Sequence, residues 1–314
     1  MRIIHGLSNI PLDWDGGIIA LGFFDGLHKG HQEILRRAFL LREEISMPVM
    51  VFTFDRHPLE VVTRTAKSSP PPKLLTTLEE KIQLMEEYQV DHLLIGEFTE
   101  EFSHISPEEF INMILCRQLK AKAVIAGFNY RFGYKHQGDM EFLMQTGSQC
   151  DFKVIVVPPV YNGNHPVSST LIRQLVSSGK MMDVEPLLWR WYSLHGTVIK
   201  GERRGRELGF PTANLLVSPE KLLPKDGVYV SVVRHGESFY PAVMNIGKRP
   251  TFKEQSQTVE VHLIDVMLQL YGETIEIYIL TRLRGEKRFN NPKLLIDKIK
   301  DDIKCTKQTL LGKR

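Results

Sequence analysis

The sequence GFFDGLHKGH, residues 22–31, places Asp-Gly and two histidines directly after an apolar run. That run, GIIALGFF, is typical of a buried strand, whereas HQEILRRAFLLREE behind it repeats its apolar residues at helical spacing. The two histidines are therefore predicted to lie where a strand passes into a helix. Backbone N–H groups and the helix dipole at such a helix start favour an anion such as phosphate.

The composition is that of an ordinary globular protein, with 42% hydrophobic and 25% charged residues. The 314 residues predict two domains, and a formal charge of +3 implies no general binding of polyanions. Three widely separated cysteines, Cys116, Cys150 and Cys305, predict free thiols rather than a disulfide framework or a metal site. The N-terminal stretch lacks an apolar signal core and no long apolar run follows, so we expect a cytoplasmic protein without a membrane segment.

The first half of the chain alternates between short apolar runs and helical patterns. The segment TTLEEKIQLMEEY is predicted to open with Thr76 and Glu79 as a capping box, and SPEEFINMILCRQL with Ser106 as N-cap and Pro107 in the first turn. This alternation predicts an α/β domain with a doubly wound parallel sheet that binds its ligand at the carboxyl ends of the strands. The predicted strands are 18–23, 48–54, 92–95, 122–126 and 153–157.

After about residue 185 the helical patterns nearly vanish and strands follow one another directly. Successive strands without crossover helices predict an antiparallel sheet, of which a closed β-barrel is one form. The segment PKLLIDKIKDDIKCTKQTLL predicts a terminal helix. We therefore expect two domains, residues 1–184 and 185–314. The predicted strands of the second domain are WYSLHGTVIK, GVYVSVVRH, SFYPAVMNIG, TVEVHLIDV and TIEIYILTRL.

Four motifs of the first domain are predicted to share the carboxyl edge of its sheet: GFFDGLHKGH, TFDRHP (53–58), GFNYRFGYKHQGD (127–139) and SSTLIR (168–173). Together they offer imidazoles, hydroxyls, helix-start N–H groups and a guanidinium. Such a set suits a triphosphate whose α-phosphorus is attacked, a reaction that needs positioning and charge stabilisation rather than a protein nucleophile. An alternative is that the two histidines only cap their helix, whereas zinc is disfavoured because the pair supplies too few ligands.

The H-x-G-H and Ser-Ser-Thr-x-x-Arg motifs resemble the nucleotidylyltransferase superfamily. The four longer motifs are similar to the adenylyltransferase module of prokaryotic bifunctional riboflavin kinase/FAD synthetases. The resemblance implies that His28 and His31 contact the ATP phosphates and stabilise the transition state, with Arg173 as a third catalytic residue. The other first-domain residues expected to bind ATP or flavin are Gly22, Phe24, Asp25, Gly30, His57, Asn129, Ser168, Ser169 and Thr170.

The stretch GTVIKGERRGRELGFPTAN, residues 196–214, is the most specific one in the second domain. Its glycines allow close backbone approach to a ligand, and no Walker loop occurs anywhere in the chain. Thr212 and Asn214 place two hard oxygen ligands on one face of an extended segment, as Mg²⁺ with nucleotide phosphates would require. Glu260 lies in an alternating strand, where it could accept the proton of a substrate hydroxyl. His262 shares that face, and a structural role is its simplest interpretation.

The second domain resembles riboflavin kinase over nearly its whole length, through GRELGFPTAN, GVYV, MNIGKRPTF, VEVHLIDV, LYG and LRGEKRF. The resemblance implies a six-stranded antiparallel barrel that phosphorylates riboflavin with Mg²⁺ and ATP. It further implies that Thr212 and Asn214 lie near the magnesium and that Glu260 is the catalytic base. The further residues expected to bind ATP or flavin are Gly201, Arg206, Gly209, Phe210 and Pro211.

Both resemblances together imply a bifunctional enzyme that makes FMN from riboflavin and then FAD from FMN, with ATP and Mg²⁺ in each step. One alternative is that only one activity is retained, because Arg56 stands where the family commonly has proline and changes the stiffness and charge of that loop. A second alternative is a flavin-binding regulator that touches RNA, although no aromatic-interleaved basic stripe favours nucleic acid. A third, a relative of class I aminoacyl-tRNA synthetases, lacks an evident anticodon domain. The sequence leaves the oligomeric state open.

Overall fold

A computed structural model describes residues 1–61, 71–201, 205, 208–250, 255–287, 289 and 291–312, without the side chains of 249, 250, 255 and 256. The chain forms two compact units, Met1–Ser169 and Thr170–Arg314. No helix within the described ranges is both long and apolar enough to cross a membrane. The boundary at residues 184 and 185 stays a prediction.

The first unit is built on a six-stranded, fully parallel sheet of order β1-β4-β3-β2-β5-β6. Five of its strands match the predicted runs, and the edge strand β1 has no counterpart among them. The strands of the unit are β1 Arg2–His5, β2 Gly17–Leu21, β3 Val49–Phe54, β4 His92–Gly96, β5 Ala121–Gly127, β6 Lys153–Val157 and the hairpin β7 Tyr161–Asn162 and β8 His165–Pro166.

Helices connect these strands, as the alternating pattern predicts. The α-helices are α1 Lys29–Ile45, α2 Leu78–Glu87, α3 Glu100–Ser103, α4 Pro107–Glu109, which continues as a π-helix over Phe110–Gln118, and α5 Met140–Gly147. Short 3₁₀ turns lie at Leu7–Asn9, Tyr134–His136 and Ser148–Cys150. The doubly wound α/β class is therefore confirmed for this unit.

The strand order places the functional motifs. From β2 the chain builds β3 and β4 on one side of the sheet, and β5 and β6 extend it on the other. The connections after β2 and β5 therefore diverge, and they leave a crevice outside the carboxyl ends of these two strands. GFFDGLHKGH follows β2 and GFNYRFG follows β5, so both motifs border that crevice.

The core explains why β2 reads as an unbroken apolar run. All five of its residues are buried, because helices cover both faces of a parallel sheet. Ile18 and Ala20 pack in the cluster that includes Leu35 of α1, whereas Ile19 and Leu21 pack with Phe110 and its neighbours on the opposite face. A strand buried on both sides fixes the position of the motif that follows it.

The start of α2 corrects one sequence prediction. The capping box is formed by Thr77 and Glu80, not by Thr76 and Glu79. The backbone N–H of Thr76 instead donates to the carboxylate of Asp25 at 3.0 Å. The predicted start of α4 is confirmed, since Ser106 is the N-cap and Pro107 follows it.

The second unit contains a closed antiparallel barrel of order β10-β13-β12-β11-β14-β9. The predicted barrel class is therefore confirmed, and the terminal helix spans the predicted residues. A helix, α6, begins at the division between the two units. From this helix onward the elements are α6 Ser169–Ser178, α7 Met181–Leu188, β9 Tyr192–Ile199, β10 Ala213–Val217, β11 Gly227–His235, β12 Ser238–Pro250, β13 Gln255–Leu263, β14 Thr274–Arg284 and α8 Pro292–Leu311.

A bidentate ion pair joins the terminal helix to the barrel. The guanidinium of Arg284 in β14 contacts Asp302 of α8, with 2.8 Å between Nη2 and Oδ2, and the Asp302 side chain is 5% exposed. Two parallel N–H to carboxylate bonds fix orientation as well as contact. The pair therefore fixes α8 to the barrel.

The prediction of three free thiols is wrong, because Cys116 and Cys150 form a disulfide bond. The π-helix and the 3₁₀ turn after α5 bring their Cα atoms to 5.9 Å across a sequence separation of 34 residues. Only folding reveals such proximity, so widely spaced cysteines gave no signal in the sequence. Cys305 is a free thiol and is exposed.

Reduction of the Cys116–Cys150 bond should lower the free energy of unfolding of the first unit by about 3–4 kcal/mol, because closing a loop of this length restricts the unfolded chain. Urea unfolding with and without dithiothreitol measures the change. The variant Cys305→Ser is the matched control and should unfold like the parent protein. Equal unfolding midpoints for the oxidised and reduced protein would contradict the expectation.

Candidate functional sites

Two stacked imidazoles mark the start of α1. His28 is the N-cap, is 7% exposed, and its Nδ1 accepts the backbone N–H of His31 at 3.4 Å. The ring centroids of His28 and His31 lie 3.7 Å apart, with an angle of 16° between the planes. Because Nδ1 of His28 accepts, its proton resides on Nε2, which is therefore a hydrogen-bond donor. The structure thus places both predicted histidines at a helix start suited to an anion.

The glycine of the H-x-G-H motif has a steric cause. A Cβ atom on Gly30 would lie 3.1 Å from Cε1 of His28, which is tighter than ordinary van der Waals contact. A Cβ on Gly22 would likewise lie 3.0 Å from the ring of Phe24. Both predicted glycines therefore leave room for neighbouring rings of the same motif.

Asp25 anchors the turn between β2 and α1. Its Oδ1 accepts the backbone N–H groups of Leu75 at 2.9 Å and Thr76 at 3.0 Å, and the residue is 2% exposed. The hydroxyl of Ser169 donates to the carbonyl oxygen of Asp25 at 3.0 Å. The carboxylate that the sequence predicts to bind ATP or flavin is thus directed at the backbone before α2.

A cavity of about 670 Å³ opens in the first unit beside these residues. Four predicted site residues line it, namely Gly22, His31, His57 and Asn129. They come from three separate motifs, so the fold brings GFFDGLHKGH, TFDRHP and GFNYRFG together as predicted. The cavity volume lies within the range of about 300–1,000 Å³ typical of small-molecule sites.

The walls of this cavity are rich in aromatic rings, and the sequence analysis missed most of them. Burial raises the pKa of the Tyr130 phenol, which therefore remains a protonated donor at neutral pH. A usable signal lay in the strand ends, since Phe54 ends β3 and Phe98 follows β4. The phenylalanines that line the cavity are Phe23, Phe54, Phe98, Phe102, Phe110 and Phe132.

The TFDRHP loop is held by its own ion pair. Arg56 contacts Asp55 with 2.8 Å between Nη2 and Oδ2, and the other Asp55 oxygen accepts the N–H of Phe98 at 3.0 Å. Burial would raise the pKa of Asp55, but these hydrogen bonds outweigh it and lower the pKa. His57 accepts the N–H of Leu59 at 3.1 Å. The unusual Arg56 is thus part of the structure of the loop.

The remaining predicted residues of the first domain lie in different surroundings. Phe24 is fully buried, and its ring centroid lies 5.2 Å from that of His31. Ser168 precedes α6, and Thr170 and Arg173 lie within it, in the second unit. Gly179 follows α6 with a φ of 75°, a conformation that glycine adopts readily at the end of a helix.

In the barrel, the three residues predicted for catalysis and metal binding lie on two neighbouring strands and directly before one of them. Asn214 of β10 is directly opposite Glu260 of β13, which in turn is opposite Asn245 of β12. Val259 and Val261 are buried in the barrel, so Glu260 and its cross-strand partners face the other way. Thr212 immediately precedes β10. The arrangement therefore sets an oxygen-rich row on the outer face of the barrel.

A second, smaller cavity of about 110 Å³ lies at this row, and its lining includes Gly201, Pro211, Thr212 and Asn214. A Cβ atom on Gly201 would clash with the amide of Asn214, so glycine is needed for this close approach. Glu260 is not among the lining residues.

His262 holds the loop that carries Thr212. Its Nδ1 lies 2.8 Å from the carbonyl oxygen of Pro211, and because a carbonyl only accepts, Nδ1 carries the proton and donates. The ring also meets that of Phe210 edge to face, at 5.7 Å between centroids. Gly209 has a φ of 86°, which glycine adopts readily, and therefore allows the turn that precedes Phe210. The structural interpretation of His262 agrees with these contacts, and the predicted Arg206 lies outside the described residues.

Comparisons with known proteins match both halves of the chain. A family model described as FAD synthetase matches residues 11–171, and one described as riboflavin kinase matches residues 188–310. The bifunctional riboflavin kinase/FMN adenylyltransferase of Escherichia coli K12 is 34% identical over 304 residues, 96% of this chain and 94% of its own. The protein of that name from Listeria monocytogenes is 36% identical over 291 residues, 92% of this chain and 91% of its own.

Solved structures also resemble the chain, and one of them matches nearly its full length. It is a crystal structure described as a macrolide-efflux protein from Streptococcus pneumoniae, with a TM-score of 0.88 and 31% identity over 98% of this chain and 99% of that one.

Replacement of Asp25 by alanine should lower the free energy of unfolding by about 3 kcal/mol, because two buried N–H groups lose a charged acceptor. Asp25→Asn keeps one acceptor oxygen and should cost clearly less. Urea unfolding measures both, with Asp15→Ala as control, since the side chain of Asp15 is 97% exposed. An Asp25→Ala protein as stable as the parent would contradict the anchoring role.

Proposed function

The chain belongs to the family of bifunctional riboflavin kinase/FMN adenylyltransferases, and from that premise we propose how each half performs its reaction. The enzyme transfers the γ-phosphoryl group of ATP to riboflavin, which gives FMN and ADP. It then transfers the adenylyl group of a second ATP to FMN, which gives FAD and pyrophosphate. The observation that carries this conclusion is that the two family matches occupy consecutive, separate halves of the chain.

In the first half, the triphosphate of ATP binds at the start of α1. The Nε2–H of His28 donates to a phosphate oxygen, and His31 binds a second one from the cavity side. A phosphate oxygen of FMN attacks the α-phosphorus, a new P–O bond forms, and the bond to pyrophosphate breaks. The residues supply position and charge stabilisation, since no protein nucleophile is required.

The aromatic cavity of the first unit binds the isoalloxazine ring of FMN. Its size and its phenylalanine walls suit a large, planar and mostly apolar ring system, which stacks or packs edge-on against them. His31 and Asn129 line the same cavity, so a flavin bound there has its phosphate chain near the helix start. This arrangement supports flavin and ATP sites that meet at the two histidines.

Three further residues are proposed to take part in adenylyl transfer. Ser169 acts through its hydrogen bond to the carbonyl of Asp25, which supports the turn before the histidines. Thr170 and Arg173 are proposed to bind phosphate on the resemblance of SSTLIR alone, and a guanidinium is well matched to phosphate oxygens.

In the second half, Glu260 accepts the proton of the riboflavin 5′-hydroxyl as that oxygen attacks the γ-phosphorus of ATP. Thr212 and Asn214 offer a hydroxyl and an amide oxygen, which are hard ligands that fit Mg²⁺. Mg²⁺ usually keeps several waters and is bound through few protein ligands together with substrate phosphates, so two such residues are enough for the proposed site. When bound, Mg²⁺ neutralises the charge that develops on the phosphates.

His28→Ala should abolish FAD formation while FMN formation continues, because only the adenylyl transfer uses the helix-start imidazole. Chromatography of riboflavin, FMN and FAD after incubation with ATP and Mg²⁺ measures both products. His5→Ala, at an exposed histidine of β1, is the control and should retain both activities. Loss of both activities in a folded His28→Ala protein would contradict the separation of the sites.

Glu260→Gln should lower FMN formation by at least about a hundredfold, the usual contribution of a general base. FAD formation should continue when FMN is supplied. Glu237→Gln, at an exposed position between β11 and β12, is the matched control. Unchanged FMN formation in Glu260→Gln would refute the assignment of the base.

A further inference from the structure

Lys81 of α2 is a buried lysine that none of the reaction steps above uses. It is 2% exposed, and its Nζ donates to the hydroxyl oxygen of Thr53 at 3.2 Å. Desolvation of an ammonium group costs several kcal/mol, and an apolar side chain would fill the same space without that cost. A purely space-filling role therefore does not explain a lysine at this position.

The surroundings of Lys81 converge on Phe23. Its Nζ lies 4.0 Å from the centroid of the Phe23 ring, a cation–π geometry. The hydroxyl of Thr53 donates to the carbonyl oxygen of Phe23 at 3.0 Å. The ammonium of Lys81 therefore holds Phe23 in two ways. It contacts the ring directly, and it is linked to the backbone carbonyl of Phe23 through the hydroxyl of Thr53.

Phe23 in turn borders the cavity of the first unit. Its ring meets that of His57 edge to face at 4.9 Å between centroids, and both rings line the cavity. Phe23 also connects β2 to the turn that carries the two histidines. The ammonium of Lys81 thus lies one aromatic ring away from the cavity that is proposed to bind the flavin.

Two carboxylates near Lys81 offset only part of the effect that burial has on the pKa of its amine. Burial lowers the pKa of the amine, and the carboxylates of Asp25 and Asp55 raise it again, so that the pKa is about 8. Asp25 is held by the backbone before α2 and Asp55 by Arg56. His57 faces Lys81 across the Phe23 ring, and the neighbouring Glu80 is directed at the N–H of Thr77.

We propose that Lys81 is a positioning residue for adenylyl transfer, whose protonated amine holds Phe23 and the end of β2 in the orientation that receives the flavin. This inference rests on the proposed adenylyltransferase function of the first unit. Loss of the positive charge weakens the cation–π contact. FAD formation should therefore decline as the pH rises through 8, and FMN formation in the barrel should not follow it.

The test measures kcat/KM for FAD formation from FMN between pH 6.5 and about 9.5, together with FMN formation by the same protein samples. Lys81→Met should lower kcat/KM about tenfold at neutral pH and lose the decline near pH 8. Lys81→Arg keeps its charge across the measured range, so its profile should show no decline near pH 8. Lys122→Met, at an exposed lysine of β5, should behave like the parent.

Every outcome either supports or overturns the positioning role of Lys81. A Lys81→Met protein with parental kcat/KM, or one that is slower but keeps the parental pH profile, overturns the positioning role. If Lys81→Met fails to fold, which loss of the urea unfolding transition of the first unit would reveal, the profiles of the parent and Lys81→Arg decide instead, and identical profiles overturn it. A parent protein that makes FMN but no FAD overturns the adenylyltransferase function itself, and the role of Lys81 with it.

Discussion

The hydrogen bonds from the backbone before α2 to the carboxylate of Asp25 hold the adenylyltransferase site together. The turn they fix is unusual, because Phe24 and Leu27 adopt positive φ angles of 56° and 38°, which residues other than glycine rarely do. Such conformations cost about 1–3 kcal/mol each and persist only when the surroundings enforce them. Asp25 provides that enforcement by binding Leu75 and Thr76, and α1 then begins with His28 as its N-cap.

The two halves of the enzyme catalyse related reactions with different folds. Both bring a flavin oxygen to a phosphorus of ATP, and neither step needs a covalent intermediate on the protein. The parallel sheet supplies a crevice and a helix start, where two stacked imidazoles lie beside backbone N–H groups. The barrel supplies a cross-strand row of oxygen ligands, with Asn214 opposite Glu260. Because the product of the barrel is the substrate of the sheet domain, one chain supplies FAD from riboflavin.

Much of this organisation is readable from the sequence, because periodicity and turn chemistry are local. The helical spacing behind His31 and the cap at Ser106 give the elements, and the motif order gives the edge of the sheet. Long-range contacts are not local and were missed. Asp25 displaced the predicted cap from Thr76 to Thr77, and the Cys116–Cys150 bond joins segments that only folding brings together.

The aromatic cavity was missed for a related reason. Its phenylalanines come from strand β3, from two helices and from connections of the first unit, and each alone is typical of an ordinary core residue. The barrel strand β10 was likewise not among the predicted strands, since its short run ANLLV follows the glycine-rich loop without a clear alternation. Tertiary structure, rather than any local pattern, gives these residues their role.

A single time course of the purified protein with riboflavin, ATP and Mg²⁺ tests the central claim most directly. Separation of riboflavin, FMN and FAD by chromatography should show FMN rising first and FAD accumulating at its expense. Both products from one polypeptide would establish two working sites. FMN without FAD would contradict the adenylyltransferase function of the first unit, and bound flavin without any turnover would contradict the assignment as an enzyme.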